Sequence, residues 1–512
     1  MFMNTRQSVG MNIINKMVGQ AAFQYSFKRK DKAKTLGDSS SVPIAPDRRI
    51  VVSQTGVLSL QEVMKHELST YPPALFEARH IFREADKPQI ATAITEHASS
   101  VTSGDYEVVK ESAPKTDHYV LDGGSLLHRV PWKAGDSYGS IAQSYADFTI
   151  RHYGLATVVF DGYGGPSIKD NTHQRRGMNV HPVVHFTADT EFIGKKEKFL
   201  SRASNKEGLI SLISAQLRNR GGNVINAPGD ADVDIVKTAV DSSHRHSTTL
   251  IGEDTDLLIL LLHYADTDPD IKDLYFRSDK TDATKVHDIN RLKAIIGPDI
   301  CSQLLFIHAF TGCDSTSRIF GIGKKTAFQK LVKGQPIIKE CANCFILPNQ
   351  TDHIIKDLGN NAMTVMFGND GSSNLETLRY NTFVKKITSA KSFVYPERLP
   401  PTTSSTKFHC LRVYYQIMVW MGTDDGMDAL DWGWKVDNNQ MVPIMTEMKA
   451  APDNLLKIIH CNCESCPPRC SCRRYGLPCH AGCGPCQTGS CDNPYSNHII
   501  TDDDIESDID EL

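Results

Sequence analysis

Short apolar runs that each end on an acidic residue constrain this chain more than any other feature. They are HYVLD (118–122), ATVVFD (156–161), NVINAPGDAD (223–232), TTLIGEDTD (248–256) and LLFIHAFTGCD (304–314). Stretches of helical periodicity accompany them, such as Ser140–Arg151, Glu207–Arg220 and Lys324–Leu331. Apolar runs of strand length separated by helices predict an α/β unit, with a twisted, mostly parallel sheet flanked by helices. Such sheets bind ligands beyond the carboxyl ends of their strands, so the acids are expected along one edge.

The chain has 512 residues, 40% hydrophobic and 23% charged. That is the composition of an ordinary globular protein, and the length predicts two to four units. The longest apolar run, Leu257–Leu262, is far short of the ~18 residues of a membrane span, so no membrane partner is expected. Formal charge is −4, but the last eleven residues, DDDIESDIDEL, carry seven acids and no bases, leaving the rest at +3.

The expected organisation begins with a disordered basic leader (1–50) and an accessory helical segment (51–116), with helices over Leu58–Leu68 and Ala74–His97. Residues 117–398 form the α/β domain with a C-terminal extension. A linker follows (399–456), which opens on LPPTTSST and holds an apolar helix, Cys410–Met421, and a Trp-rich stretch. A cysteine-rich module (457–495) and an acidic tail (496–512) complete it. The cluster Lys28–Lys34 fits a nuclear import signal, and the start, free of acids before Asp31, fits a mitochondrial leader; nuclear is preferred, with mitochondrial or cytoplasmic as alternatives.

One aspartate at a strand end is usually a helix cap. Seven of them, Asp122, Asp161, Asp230, Asp232, Asp254, Asp256 and Asp314, call for more, because two occur as Asp-x-Asp pairs and no Lys or Arg lies inside those pairs. Crowded like charges repel unless a cation neutralises them. Two hard divalent ions, Mg²⁺ or Mn²⁺, fit such a cluster and suit phosphodiester hydrolysis.

The order of these words resembles the flap endonuclease/XPG family of structure-specific nucleases, which have a PIN-like fold. VLDGGSLLHR resembles the family's first strand, VVFDGYGGPSIKDNTHQRR its Phe-Asp-Gly strand with a following Lys and paired Arg, and APGDADVD its Ala-Pro-x-Glu-Ala-Glu word, with aspartates for glutamates. GEDTDLL resembles its acidic Asp-x-Asp word, and TGCDSTSRIFGIGKKTAFQKL its Gly-x-Asp with a helix-hairpin-helix variant. The match spans residues 118–335. The resemblance implies one metal among Asp122, Asp161, Asp230 and Asp232 and a second completed by Asp254, Asp256 and Asp314. It also implies Lys169 with Arg175 or Arg176 at the scissile phosphate, and His128 stacking on or wedging the substrate. At Gly321-Ile322-Gly323-Lys324-Lys325 it implies a grip on duplex DNA with one K⁺. The expected partner is branched, flapped or single-stranded DNA, with RNA as an alternative. Residues 177–229 are long enough for an arch over a single strand, with Lys195–Lys198, Arg202 and Lys206 supplying positive charge. The runner-up is a catalytically inactive nuclease-fold protein that binds DNA or chromatin.

Nine of the 14 cysteines fall within 31 residues: Cys461, Cys463, Cys466, Cys470, Cys472, Cys479, Cys483, Cys486 and Cys491. A segment with so few apolar residues needs a staple, and soft thiolates select Zn²⁺. Three tetrahedral ions would share three bridging thiolates; two four-cysteine sites with a spare thiol, or ligation by His460 or His480, are the alternatives. The pattern resembles the CXC module of tesmin/TSO1-type DNA-binding proteins, which uses nine cysteines around three zincs. That resemblance makes Arg469, Arg473 and Arg474 the phosphate contacts.

Overall fold

The computed structural model describes residues 60–102, 109–110, 114–133, 135–162, 182–268, 270–279, 285–371, 373–389, 394–438 and 440–452, together with Cys463, Cys470, Cys472 and Cys479. Seven strands make one sheet: β1 (Val109–Lys110), β2 (His118–Asp122), β3 (Thr157–Phe160), β4 (Asn223–Asn226), β5 (Thr248–Ile251), β6 (Leu274–Ser278) and β7 (Lys285–Asp288). Their spatial order is β1-β7-β6-β5-β2-β3-β4. The five strands from β6 to β4 run parallel, with Leu121 of β2 paired with both Val158 and Ile251. β7 and β1 extend the β6 side antiparallel.

The helices are α1 (Pro88–Val101), α2 (Gly123–Arg129), α3 (Tyr138–Tyr153), α4 (Ala203–Asn219), α5 (Asp232–Ser243), α6 (Thr255–Tyr264), α7 (Ile289–Ile296), α8 (Pro298–Phe310), α9 (Lys324–Val332), α10 (Pro336–Phe345), α11 (Asp352–Met366), α12 (Leu375–Ser389) and α13 (Thr403–Met421). β3 and β5 are buried at every position, as strands covered on both faces must be. Successive side chains alternate between two apolar clusters. Leu121, Val158, Phe160 and Ile251 face α2, α3 and α4, whereas Val120, Val159 and Leu250 face a larger cluster built on α5, α6 and α8.

The sheet and its flanking helices make the α/β architecture that the acid-ended runs predict, but several elements differ. LLFIHAFTGCD was expected as a strand; its first seven residues lie in α8, which starts on Pro298 at its first turn, and TGCD lies in the loop that follows. A short apolar run does not distinguish a buried strand from a buried helix, and here every residue from Gln303 to Phe310 is buried. Leu274–Ser278 and Lys285–Asp288 carry no strong alternation and emerge as strands through pairing at the sheet's edge. Ala74–His97 is not one helix: Phe76–Ala78 pairs antiparallel with Ile81–Phe82 across a turn in which His80 has φ 62°, and α1 begins at Pro88. Of the helix expected over Leu58–Leu68, residues 60–68 are described, and only the single turn Leu60–Met64 among them is helical.

Leu75, Phe76, Phe82, Ile90 and Ile94 enter the larger cluster, so the segment expected as accessory is part of the core. The expected linker also departs from its reading. Leu399, Thr402, Ser405 and Thr406 are buried, and α13 starts seven residues earlier than expected, with Thr402 accepting from Ser405 N as its cap. Trp434 is buried edge-on against Phe82, and Trp432 packs on Tyr414.

Candidate metal centre at the carboxyl edge of the sheet

From β2 the chain steps through β3 to β4 on one side, whereas β5 and β6 lie on the other. The carboxyl ends of β2 and β5 therefore flank the point where strand order reverses, and the crevice there is where sheets of this kind bind ligands. Asp122 ends β2 and caps α2, accepting from Ser125 N at 3.1 Å. Asp161 follows β3 and accepts from Ala231 N at 3.0 Å, which ties it to the start of α5. A Cβ at Gly124 would lie 3.1 Å from Asp122 Oδ1 and 3.4 Å from Asp161 Oδ2, so these two carboxylates converge on one spot. Burial first, opposed by the Ser125 hydrogen bond, and then the neighbouring Asp161 charge push the Asp122 carboxyl up to about 6. Asp230 is exposed, and Asp232 is half-buried in the first turn of α5.

Asp254 caps α6, accepting from Asp256 N at 3.0 Å, and Asp256 sits in that helix's first turn. Asp314 arrives from the loop after α8. Asp254, Asp256 and Asp314 place one oxygen each within 4.8 Å of one another. Asp256 is buried, and the other two are partly open. Three carboxylate oxygens are the donor chemistry of Mg²⁺ or Mn²⁺, and this set fits such an ion.

Lys87, which no sequence word singled out, enters this triad. Its Nζ lies 3.1 Å from Asp254, 3.1 Å from Asp256 and 3.0 Å from Asp314. Burial disfavours its charge, but Asp256, Asp254 and Asp314 outweigh that and hold it above the ordinary lysine range. Burial, then Asp256, pushes Asp254 up to about 6 against the pull of Lys87.

The loop of Asp314 delivers this lysine. Arg318 N donates to Arg83 O at 3.1 Å, Phe320 N to Ala74 O at 2.8 Å, and Arg83 N to Ser317 Oγ at 3.2 Å. Gly312 has φ 106°, and a Cβ there would meet Arg318 N at 2.6 Å and Ala85 at 2.9 Å, so glycine permits the close approach. Pro88 at the first position of α1 then fixes Lys87 at the helix start. The Lys-Pro dipeptide signals a helix start, but nothing in the sequence tells which loop it meets.

Beneath the triad, His308 Nε2 lies 2.7 Å from Asp256 Oδ1, and Lys324 Nζ lies 3.1 Å from His308 Nδ1. A carboxylate can only accept, so Nε2–H donates to Asp256, and in the neutral ring Nδ1 accepts from Lys324. Burial first, then Lys324, pushes His308 down to about 4 and keeps it neutral. Lys324 was expected on a DNA phosphate. It is instead 2% exposed, donates to His308 O at 2.8 Å and Gly312 O at 2.5 Å, and is pushed by burial down to about 7, so it presents no charge to the surface.

The other basic candidates are dispersed. Gly321 has φ 75°, Gly323 caps α9, and Lys325 is exposed at 2.9 Å from Glu96. His128 is exposed at the end of α2. Lys196 lies against the body, donating to His128 O at 3.0 Å and Val130 O at 2.7 Å, and α4 packs on α3, which differs from a free arch. Lys169, Arg175, Arg176, Arg469, Arg473 and Arg474 lie outside the described residues. Arg129, also missed, lies beside the crevice and bonds Tyr153 OH at 2.9 Å, Asp279 at 3.3 Å and Glu253 at 3.5 Å.

Among the cysteines, Cys470, Cys472 and Cys479 are buried with their sulfurs within 4.8 Å of one another, and Cys470 and Cys479 are 4.0 Å apart. Tetrahedral Zn–S bonds of ~2.3 Å separate two sulfurs by about 3.8 Å, so these thiols fit zinc. Cys463 is half-buried, and Cys461, Cys466, Cys483, Cys486 and Cys491 lie outside the described residues. No described helix is long and apolar enough to cross a membrane.

No family model matches the chain, and no curated protein matches it in sequence. Solved structures similar to it include the catalytic core of Rad2 in complex with DNA substrate, at 13% identity and a TM-score of 0.30, over 62% of this chain and 92% of that one. A bacteriophage T5 flap endonuclease, in a pseudo-enzyme–product complex with DNA and metal ions, is similar at 14% identity and a TM-score of 0.27, over 58% and 99%. The eukaryotic junction-resolving enzyme GEN-1 binding with potassium is similar at 13% identity and a TM-score of 0.29, over 63% and 68%.

Proposed function

We propose that the protein is a divalent-metal-dependent nuclease that hydrolyses phosphodiester bonds in branched, flapped or single-stranded DNA. The carrying observation is the gathering of Asp254, Asp256 and Asp314 within 4.8 Å at the sheet edge where Asp122 and Asp161 also converge. In this reading Asp122, Asp161 and Asp232 hold one ion and the triad holds a second. Ions held there would supply an activated water and charge stabilisation at the departing oxygen, the chemistry that leaves a 5′-phosphate. His308 orients Asp256, and Asp254 and Asp314 present oxygens toward the open side of the crevice. Lys169 with Arg175 or Arg176 faces the phosphate, while Gly321, Gly323 and Lys325 meet the duplex backbone beside one K⁺. The cysteine-rich module, holding about three Zn²⁺, docks the enzyme on DNA through Arg469, Arg473 and Arg474. The protein acts in the nucleus.

A second reading, a DNA-binding protein that no longer cuts, is favoured by one observation. Lys87 already neutralises part of the triad's charge. The test incubates the full chain with flapped, branched and single-stranded DNA, and with RNA, in Mg²⁺, in Mn²⁺ and in EDTA. Metal-dependent products with 5′-phosphate ends support the nuclease; zinc-dependent binding without cleavage in either ion supports the second reading.

A further inference from the structure

Lys324 stands at the first position of α9, directly after the Gly321–Gly323 hairpin, yet its side chain reaches inward to the end of α8. Its hydrogen-bond partners among the described residues are uncharged: His308 Nδ1 at 3.1 Å, His308 O at 2.8 Å, Thr311 Oγ1 at 3.3 Å and Gly312 O at 2.5 Å. Burying a lysine among neutral groups is unfavourable, which is why burial pushes it down to about 7, and a methionine of similar length would fill the same space without that cost. What methionine lacks is an N–H, so the reason for a lysine lies in the groups to which it donates.

Two of those groups lead to the Asp254/Asp256/Asp314 triad. His308 Nε2–H donates to Asp256 Oδ1 at 2.7 Å, while Asp256 Oδ2 lies 3.1 Å from Lys87 Nζ, the point where oxygens of Asp254 and Asp314 also meet. One oxygen is thus tied back to the histidine, and the other is turned toward the centre of the triad. Engaging Nδ1 as an acceptor fixes the tautomer and plane of the ring, as the second hydrogen bond of a ligand-orienting histidine does. Gly312 O belongs to the loop after α8, two residues before Asp314. Capping of the last carbonyls of α8 accounts for the backbone bonds alone and not for the bond to Nδ1. Given the nuclease reading of this site, on which the step rests, we infer that Lys324 is a positioning residue for the metal triad and not a DNA contact. Through His308 it orients Asp256, and through Gly312 O it holds the loop of Asp314, so the hairpin and the metal centre are built as one unit.

The test compares the zinc-loaded full chain with Lys324→Met and with Lys324→Gln, which keeps N–H donors on a stem one atom shorter and carries the comparison if Lys324→Met does not fold. Mn²⁺ binding is read by electron paramagnetic resonance without DNA, the triad's share being the part lost in Asp254→Asn/Asp256→Asn. The Kd for a flapped duplex in EDTA is measured against salt, the cleavage rate in limiting Mn²⁺ with saturating DNA, and the melting temperature beside them. Loss of a hydrogen bond behind a metal ligand costs roughly 10–100-fold in metal affinity or activity. Lys324→Met should therefore lower the triad's Mn²⁺ affinity and the cleavage rate roughly tenfold, with the Kd within about twofold of wild type and the salt slope unchanged. Lys324→Gln should lose less, and Lys324→Met placed on His308→Leu should add less than its own tenfold, because the two act through one chain. A raised Kd with a salt slope lower by about one and an unchanged Mn²⁺ affinity would put Lys324 on a phosphate and overturns the inference. So does a variant that melts lower yet binds Mn²⁺ and cuts as the wild type does, since that is a capping role and nothing more. A wild type that binds Mn²⁺ at the triad but cuts no DNA sinks the nuclease reading alone, and the Mn²⁺ and Kd readings still decide for Lys324.

Discussion

At the scale of single residues, the site combines parts that are local in sequence with parts that are not. Asp122, Asp161, Asp254 and Asp256 are legible because each closes or follows an apolar strand, and strand ends in a parallel sheet share an edge. Asp314 was legible as an acid but was assigned to a strand; it stands instead in the loop after α8, and a helix delivers it to the same place. Lys87 and His308 were not legible, since their meaning comes from partners 167 and 52 residues away. His308 also lies inside an apolar run, where a histidine reads as core filling. Its buried bonds imply a measurable cost. His308→Leu leaves Asp256 without its Nε2–H donor and Lys324 without one of its acceptors, and urea unfolding should show a loss of about 3 kcal/mol. A loss below about 1 kcal/mol would mean that the two bonds carry no weight.

Among the elements, helix interiors follow periodicity while helix starts follow chemistry that periodicity does not carry. α3 and α4 come out close to the expected Ser140–Arg151 and Glu207–Arg220, extended by a few residues at one or both ends. α13 does not, because its first turn is held by Glu67, on the far side of the sequence. Glu67 Oε1 accepts from Thr402 N at 2.9 Å, Thr402 Oγ1 at 2.8 Å and Ser405 Oγ at 2.5 Å, and Arg379 pairs with its other oxygen at 3.5 Å. The Pro/Ser/Thr composition of 399–406 reads as a linker, but the hydroxyls serve a buried carboxylate. Glu67→Ala removes that acceptor and takes the Glu67 carboxylate away from the buried Arg379 charge. It should destabilise the protein by roughly 3–5 kcal/mol and expose the α12–α13 connection to limited proteolysis, whereas Glu67→Gln should cost less. Wild-type melting and proteolysis in Glu67→Ala would show that the connection behaves as a linker after all.

For the whole molecule, buried ionisable groups set the response to acid. Burial holds His263, His287 and His308 down to about 4 and His409 down to about 3. The folded chain keeps them neutral, and the unfolded chain protonates them near 6.5. Their contribution is therefore full above pH 6.5 and is lost as pH falls through 6.5 toward 4. Asp122 and Asp254, raised to about 6, act in the opposite sense below pH 6, because the folded chain binds protons there that the unfolded chain does not. Four groups against two predict a lower melting temperature at pH 5 than at pH 7 in metal-free buffer, with the slope reduced in His409→Gln; a temperature that rises toward pH 5 would mean the carboxylates dominate. The fold class was legible because alternation of strand and helix is a property of the whole chain. The placement of residues 74–98 in the core was not, since it depends on pairing with a loop more than 200 residues later. Function rests on whether the gathered carboxylates cut DNA, and the direct measurement is single-turnover cleavage of a labelled flapped duplex in Mn²⁺ by wild type and by Asp254→Asn/Asp256→Asn. The account predicts metal-dependent cleavage by the wild type and a rate roughly a thousandfold lower in the double variant, with DNA binding retained; equal rates in the two proteins would contradict it.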